Sequence, residues 1–425
     1  MSSAPSTVTK QSSSPLKSAT VYTILFAISS VHLLNDSMQA VVAALFPIFA
    51  DSLKLTYAQV GWIAFTLNMT SSIMQPIVGL LLDKRPQPKL LPIGMLCSMV
   101  GIAGLAFAPS FWLLLLSVMF IGFGSAVFHP EGSRVVHMAA GARRAFSQSI
   151  YQVGGNLGSS FAPLMTIFIF VPLGQRGAAW GMLLAALAIA ILIKIVPWYS
   201  AQLTAAGEAA RLKKEKLAAE ESHGGTLSAA SQSHSSVDNL NRRIVAFALI
   251  ILFIIVFARS WYSAAIGNFY QFFVREQYGV GIGPAQVPLF LFMAAGVVGT
   301  FVGGVAADRI GRKKMMLISL IGASPIALLL PHLSLTWVYP AIIVLGFILQ
   351  SGFSVSVVYA QELMPGKVGT ASGLITGLAF GMGALGSVIL GNVADSQGLS
   401  FVMIGCSLLP LFGLLGFLLP KDRRE

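Results

Sequence analysis

Four polar side chains interrupt an apolar stretch near the start of the chain. His32, Asn35, Asp36 and Gln39 recur at spacings of three and four residues, so they share one face of a helix. In a membrane-spanning helix a carboxyl group is costly, and it is a functional candidate because it can take and release a proton. We therefore predict proton coupling at Asp36 with His32 beside it, and substrate contacts from Asn35 and Gln39.

A second charge is predicted inside the second half of the chain. Arg259 lies at a similar depth of another apolar stretch, with Tyr262 and Asn268 further along it. Three arrangements are open. Asp36 and Arg259 neutralise each other and lock the two halves together, or they border a central polar cavity, or neither faces the centre. In the second arrangement Arg259 attracts an anionic group, and Tyr262 and Asn268 help to bind the substrate.

The segment FHPEGSR, from Phe128 to Arg134, contains three ionisable residues. Glu131 and Arg134 are three residues apart and can pair on one helix face. This spacing predicts either a structural or gating ion pair or a proton site at Glu131. His129 is interpreted as a hydrogen-bonded packing residue. No metal site is expected, since the histidines show no ligand spacing with cysteine or carboxylate residues.

Polar and small residues also occur together in the fifth apolar stretch. Gln152 and Asn156 are four residues apart and are predicted to contact the substrate. Gly154, Gly155 and Gly158 allow close approach of helix backbones. A glycine-rich face of this kind suits tight packing, and it also suits a contact that opens and closes.

The chain as a whole has the composition of an integral membrane protein. Of its 425 residues 56% are hydrophobic and 10% are charged, with a mean hydropathy of +0.80, whereas soluble domains carry about 25% charged residues. Because about 20 apolar residues cross the hydrocarbon layer as a helix, an all-α protein with twelve transmembrane helices is predicted. The spans are placed at about 22–50, 57–82, 90–108, 111–136, 146–171, 177–197, 243–273, 285–307, 314–331, 336–360, 368–393 and 400–420.

Two copies of one short motif indicate that the chain consists of two similar halves. GLLLDK begins at Gly79 and GVAADR at Gly304, an offset of 225 residues that also aligns Gly158 with Gly383. An even number of spans per half predicts two parallel six-helix bundles related by a pseudo-twofold axis along the membrane normal. The predicted divisions are a tail at 1–20, bundles at 21–200 and 242–420, a linker with an amphipathic helix at 201–241, and a tail at 421–425.

The basic residues predict the orientation in the membrane. Of the 27 Lys and Arg residues, only Lys54, Arg176 and Arg275 fall in the odd-numbered connections. This asymmetry predicts that both termini are cytoplasmic. The net charge of +12 then follows from topology, with some attraction to anionic lipid. No nucleic-acid partner is expected, because the charge is scattered over short loops.

The duplicated motif resembles the loop motif of the major facilitator superfamily. The second copy matches the family pattern from Gly304 to Lys313, whereas the first has Pro86 and Gln87 where the family has Gly and Arg. The resemblance implies a gating network at the cytoplasmic end, and the altered first copy weakens half of it. The predicted gating residues are Asp83, Lys84, Arg134, Asp308, Arg309 and Arg312.

Four longer stretches are similar to efflux transporters of this superfamily that confer resistance to an anionic phosphonate antibiotic. They are SVHLLNDSMQ, GSAVFHPEGSRV, SIYQVGGNLGSSFAP and YAQELMPGKVGTASGL. The resemblance implies antiport of protons against small anionic or amphiphilic compounds across a bacterial inner membrane, by alternating access. However, no Gly-Pro pair follows Gly158 in helix five, so the usual antiporter signature is incomplete. Uptake or uniport of a small metabolite by the same fold is the alternative.

The remaining expectations concern chemistry and partners. The sequence contains no phosphate loop, no metal-ligand cluster, and no nucleophile and base in a shared site, so an enzyme is not expected and no cofactor is predicted. The expected partners are a small-molecule substrate, protons and membrane lipid. The protein is expected to function as a monomer.

Overall fold

The computed structural model describes residues 19–141, 143–221, 237–364 and 368–420, and these residues form helices and connections without a strand. Two π-helical segments, Thr166–Phe170 and Ala265–Phe269, and three 3-10 segments, Gly174–Trp180, Leu330–His332 and Leu409–Leu418, join or extend the α-helices. The α-helices are α1 (Tyr22–Ala44), α2 (Phe46–Leu53), α3 (Tyr57–Lys84), α4 (Leu90–Phe107), α5 (Phe111–Ala139), α6 (Arg144–Met165), α7 (Val171–Leu173), α8 (Gly181–Glu221), α9 (Val237–Ala264), α10 (Tyr270–Tyr278), α11 (Ile282–Ile310), α12 (Arg312–Ile321), α13 (Ser324–Leu329), α14 (Leu335–Gln350), α15 (Phe353–Leu363), α16 (Val368–Gln397) and α17 (Leu399–Ser407).

The described helices account for the predicted membrane spans. Ten helical segments are long and apolar enough to cross a membrane, and the pair α1 and α2, bent by 43°, adds an eleventh. One of the ten, Ser147–Glu208, has 62 residues, roughly three times the length that crosses the hydrocarbon layer. It is interrupted at Gly174, where φ is +62°, and both α6 and α8 pack against α1. Counted as two spans, this segment completes the predicted twelve.

The internal repeat is visible in the positions of the helices. α3 begins at Tyr57 and α11 begins at Ile282, 225 residues later. α5 and α14 begin at Phe111 and Leu335, within one residue of the same offset. Contacts between the halves obey the same symmetry, since α3 of the first half packs on α16 and α6 packs on α11. Under the repeat, α3 corresponds to α11 and α6 to α16, so the two contacts are equivalent.

The two halves meet tightly at the end of the molecule opposite the start of α1, here called the distal end. It comprises α2, α10, the starts of α3 and α11, and the end of α16. A Cβ atom at Gly391 would lie only 2.9 Å from the carbonyl carbon of Tyr57, so α16 can approach α3 there because it carries a glycine.

Polar contacts reinforce the distal end. The Asp395 carboxylate accepts hydrogen bonds from the backbone N–H groups of Tyr57 and Ala58, each at 2.8 Å, and so adds an acceptor to the N-terminus of α3. Arg275 forms an ion pair with Asp51 at 2.9 Å. All three interactions join the first half to the second.

The connection between the halves begins as a continuation of a membrane span. α8 extends without a break to Glu221, where the sequence predicts a span ending near 197 and a separate amphipathic helix. Arg211 and Glu215 pair at 3.3 Å on its exposed part. Residues 222–236 of the predicted linker and both predicted tails, apart from 19 and 20, lie outside the described residues.

Candidate functional site

Asp36 is the centre of a cluster of ionisable side chains in the first bundle. Its Oδ2 lies 3.3 Å from His32 Nε2, one helical turn earlier on α1, and its Oδ1 lies 3.7 Å from His129 Nε2 on α5. The Asn35 amide donates a hydrogen bond to Oδ1 at 2.9 Å. The Asp36 side chain is only 18% exposed. The predicted polar face of α1 therefore surrounds a carboxyl group, as its spacing indicated.

The imidazole ring of His32 is held in one orientation. Its Nδ1 lies 2.7 Å from the backbone carbonyl oxygen of Tyr151 on α6, and the two rings stack with centroids 4.0 Å apart. The side chain is 2% exposed. A backbone carbonyl contact of this kind fixes which nitrogen carries the proton and directs the other nitrogen, here Nε2, toward Asp36.

His129 lies at the more open side of the cluster. Its ring is 25% exposed and its Nε2 is 3.5 Å from the amide nitrogen of Gln39. That amide also donates a hydrogen bond to the Ser125 hydroxyl, one helical turn before His129 on α5. The sequence predicted a packing role for His129 and did not predict that it lies beside Asp36. Sequence spacing could not show it, because the residues lie on different helices.

A glycine on α6 makes room for this cluster. A Cβ atom at Gly155 would lie 2.5 Å from His32 Nε2 and 2.6 Å from Asp36 Oδ2. Its neighbour Gly154 faces the backbone of Ser29 in the same way. The predicted packing function of these glycines is confirmed for the contact between α6 and α1.

The three ionisable groups are also close enough to raise the question of a metal ion. One ligand-type atom from each of His32, Asp36 and His129 lies within 4.8 Å of the others. A divalent cation is compatible with that spacing and with those atoms. A hydrogen-bonded proton accounts for the same approach, and no metal set was expected from the sequence.

Arg259 does not meet Asp36, although both side chains are described. Its guanidinium donates hydrogen bonds to the Leu349 carbonyl oxygen on α14 and, at 2.7 Å, to the Ser319 hydroxyl on α12. It is 2% exposed. Of the three open arrangements, the pairing of Arg259 with Asp36 is wrong in this structure, because sequence depth does not determine which way a helix face turns. A position of Arg259 at a central cavity stays a prediction. The residue lies inside the second bundle.

Glu131 belongs to a separate buried network. It pairs with Arg134 at 2.9 Å, and the Tyr199 hydroxyl on α8 donates to its other oxygen at 2.5 Å. Arg134 also donates to the carbonyl oxygen of Leu82 near the end of α3. The predicted ion pair between Glu131 and Arg134 is present, and it links α3, α5 and α8.

The remaining predicted substrate contacts are dispersed. Gln152 is exposed and Asn156 is half-buried on α6, next to the cluster helix. Tyr262 is buried in the second bundle, and Asn268 donates to the Ser387 hydroxyl at 2.8 Å within that bundle. The structure therefore brings Gln39, but not Tyr262 or Asn268, into contact with the cluster of Asp36.

The second copy of the duplicated motif forms ion pairs. Arg312 lies 3.1 Å from Glu362 on α15 and 3.5 Å from Asp308, which is 71% exposed. Arg309 is exposed. The side chains of Asp83 and Lys84 lie outside the described part of the chain, so the gating network predicted for the first copy stays a prediction.

Two repeated bundles of membrane-spanning helices with ionisable side chains buried inside both are typical of a multi-pass membrane transporter. The chain belongs to the Major Facilitator Superfamily, whose sequence profile matches residues 25–387.

Among individual relatives, the chain is 42% identical to the fosmidomycin resistance protein of Escherichia coli (strain K12), over 100% of this chain and 99% of that one. It is 50% identical to the uncharacterized MFS-type transporter YfnC of Bacillus subtilis (strain 168), over 95% and 94% of the two chains.

Solved structures agree with this fold. A bacterial homolog of the human lysosomal transporter Spinster, in an inward-facing and occupied conformation, matches with a TM-score of 0.72 over 93% of this chain and 96% of that one. The nucleoside transporter NupG matches with a TM-score of 0.69 over 93% and 98%. At 14% sequence identity both similarities show the fold alone.

Proposed function

We propose that this transporter exports small anionic or amphiphilic compounds, fosmidomycin among them, in exchange for protons across the bacterial inner membrane. The cargo is suggested by the fosmidomycin resistance protein, which is 42% identical over the full length. The scattered basic residues support an orientation with both termini in the cytoplasm. The proposed working unit is a single chain.

The cluster around Asp36 is the observation that carries the proton part of this proposal. A carboxyl group inside a membrane-spanning bundle is costly unless it has partners or a function. Asp36 has two imidazoles within 3.7 Å, and imidazole changes its charge in the physiological pH range. The cluster can therefore load and unload a proton as its surroundings change.

The symmetry of the contacts between the bundles supports the proposed alternating access. The contacts of α3 with α16 and of α6 with α11 are equivalent under the repeat. Rocking of the bundles about these contacts would open one end while the other closes. The contacts of Asp395 and Arg275 favour a closed distal end.

The decisive experiment measures radiolabelled fosmidomycin in inverted membrane vesicles. An acid-inside pH gradient should drive accumulation, and a protonophore should abolish it. Asp36→Asn should remove the gradient-driven part, whereas Glu208→Gln, which changes an exposed carboxylate on α8, should leave it intact. Accumulation that is indifferent to the gradient in the parent protein would refute proton antiport.

Uptake or uniport of a metabolite is the second candidate, and the incomplete antiporter signature of helix five favours testing it. The same assay in whole cells separates the two. Export predicts that overproduction of the protein lowers cellular accumulation of fosmidomycin. Uptake predicts that accumulation rises.

A further inference from the structure

The hydrogen-bonding capacities of His32 and its partners determine where a proton must be. The Tyr151 carbonyl oxygen, 2.7 Å from His32 Nδ1, can only accept a hydrogen bond. Nδ1 therefore carries a hydrogen. In neutral imidazole the other nitrogen, Nε2, then has a lone pair and no hydrogen.

That lone pair faces another acceptor. His32 Nε2 is 3.3 Å from Asp36 Oδ2, and an ionised carboxylate is an acceptor only. Two lone pairs facing each other in a buried site repel, so the contact needs a proton between them. Either His32 is an imidazolium that donates to the carboxylate, or Asp36 is a carboxylic acid that donates to Nε2.

We infer that this structure represents the proton-loaded state, with one proton held between His32 Nε2 and Asp36 Oδ2, and that His129 is the residue through which the proton exchanges. The inference rests on the proposed function and specifies its coupling site. Asp36 Oδ1 is 3.7 Å from His129 Nε2, which is too long for a settled hydrogen bond and close enough to shorten into one. His129 is also the most exposed of the three groups, at 25%.

The exchange step conserves charge and atoms. The N–H bond at His129 Nε2 breaks as the proton passes to the Asp36 carboxylate, and a turn of the carboxyl group presents it to His32 Nε2. When His129 is neutral, its Nε2 can accept from the Gln39 amide 3.5 Å away. His129 thus has a partner in each protonation state.

The surroundings of the cluster contain few other titratable groups. α5 contributes His129 and α6 contributes Tyr151, whose ring stacks on His32. Within the described residues no lysine or arginine forms an ion pair with Asp36. The positive charge that stabilises an ionised Asp36 must therefore come from a protonated histidine.

The proton itself can be tested without transport. In purified parent protein labelled with 15N-histidine in lipid nanodiscs, His32 Nδ1 should be protonated at about pH 7.5, above the ordinary histidine pKa. In addition, either His32 Nε2 should be protonated or infrared difference spectra against Asp36→Asn should show a protonated carboxyl group. His32→Gln identifies the histidine signal. A non-protonated Nε2 together with an ionised Asp36 would overturn the inference, whatever the protein transports.

The part played by His129 needs a comparison of two transport modes. His129→Gln should lower gradient-driven fosmidomycin accumulation by about tenfold or more, while counterflow exchange without a gradient stays within about twofold of the parent. His137→Gln, an exposed histidine on the same helix, is the matched control and should preserve both modes. Unchanged gradient-driven accumulation in His129→Gln would overturn the exchange role.

A chelation experiment tests whether the cluster binds a metal ion instead of a proton. Treatment with EDTA should leave counterflow, gradient-driven transport and the histidine spectra unchanged. A loss of activity that Zn²⁺ or Ni²⁺ restores would show that the cluster holds a cation rather than a proton, and would refute the inference. If the parent protein showed the predicted spectra but no gradient-driven transport, the proposed function would be refuted. The inferred proton between His32 and Asp36 would then stand.

Discussion

The two halves of this transporter use the same positions on their first helices for different chemistry. At the offset of 225 residues, His32 and Asp36 of α1 correspond to Phe257 and Trp261 of α9. In the first pair His32 Nε2 lies 3.3 Å from Asp36 Oδ2, whereas the rings of the second pair pack with centroids 4.7 Å apart. The helix positions are the same in both halves, but at these two positions only the first half has ionisable side chains.

The same asymmetry extends to neighbouring helices. His129 of α5 corresponds to Ser354 of α15, which cannot change its charge. The second half does contain a buried cation, Arg259, but it bonds to a carbonyl and a hydroxyl inside its own bundle. The proposed proton site therefore lies in the first bundle alone, and the second bundle has aromatic side chains at the equivalent place.

The largest effect is expected when the first half is made to resemble the second. His32→Phe keeps an aromatic ring beside Tyr151 but removes the nitrogen that faces Asp36. We expect gradient-driven fosmidomycin transport to fall by about 10³-fold, as for loss of a positioned proton carrier. Vesicle accumulation assays with and without a pH gradient measure this.

The reciprocal change in the second half is the control. Phe257→His places an imidazole at the equivalent position but offers it no carboxylate, so it should neither create nor abolish coupling. Equal losses in both variants would contradict the division of functions between the halves.

A second comparison concerns carboxylates that pair with arginine. Glu131→Gln removes one partner of a buried pair, so the free energy of unfolding should fall by about 3 kcal/mol. Glu362→Gln acts on a partly exposed pair with Arg312 and should cost less than about 1 kcal/mol. Thermal unfolding in detergent measures both. Lost coupling in Glu131→Gln with unaltered coupling in Asp36→Asn would transfer the proton role to Glu131.

The third comparison is between a crowded glycine, Gly155 on α6, and an uncrowded glycine, Gly381 on the equivalent helix α16. Gly155→Ala places a methyl group against His32 and Asp36 and should cost about 2 kcal/mol by overpacking, with a matching loss of transport. Gly381→Ala on α16 meets nothing within 4 Å and should be neutral. Both variants are compared in thermal stability and in vesicle transport. Equal values for Gly155→Ala and Gly381→Ala would contradict the packing argument.

The smallest effect is expected at the distal end. Asp395→Ala removes an acceptor from the N-terminus of α3 and should shift the population away from the closed distal end by about 1 kcal/mol, or about fivefold. Asn392→Ala is the control, because the Asn392 side chain bonds to the Val388 carbonyl oxygen of its own helix. Spin-label distances between the bundles report the shift. No difference between the variants would argue against a stabilising contact at Asp395.

Local periodicity predicted the features that depend on one helix at a time. The twelve spans, the repeat and the shared face of His32 and Asp36 follow from composition and spacing, and the structure contains them. Contacts between helices depend on how each helix is rotated, which spacing does not encode. For that reason the sequence missed His129 beside Asp36 and could not decide among the three arrangements open for Asp36 and Arg259, of which the structure excludes direct pairing.

The Glu131 and Arg134 pair shows where prediction succeeds partially. Their separation of three residues predicted the contact, but the third member, Tyr199, lies 68 residues further along the chain. No local pattern identifies such a partner. The glycine at 391 is a similar case, since only the packed bundles reveal that it faces Tyr57.

The unbroken helix α8 has a mechanical consequence. Its 41 residues extend over about 60 Å, twice the hydrocarbon thickness, so roughly 30 Å of it extends beyond the length needed to cross that layer. If the first bundle turned by about 15°, the end of this helix would move by about 8 Å. A fluorophore attached near Arg211 would therefore move by a distance that energy-transfer measurements can detect, even when the bundle itself tilts only slightly.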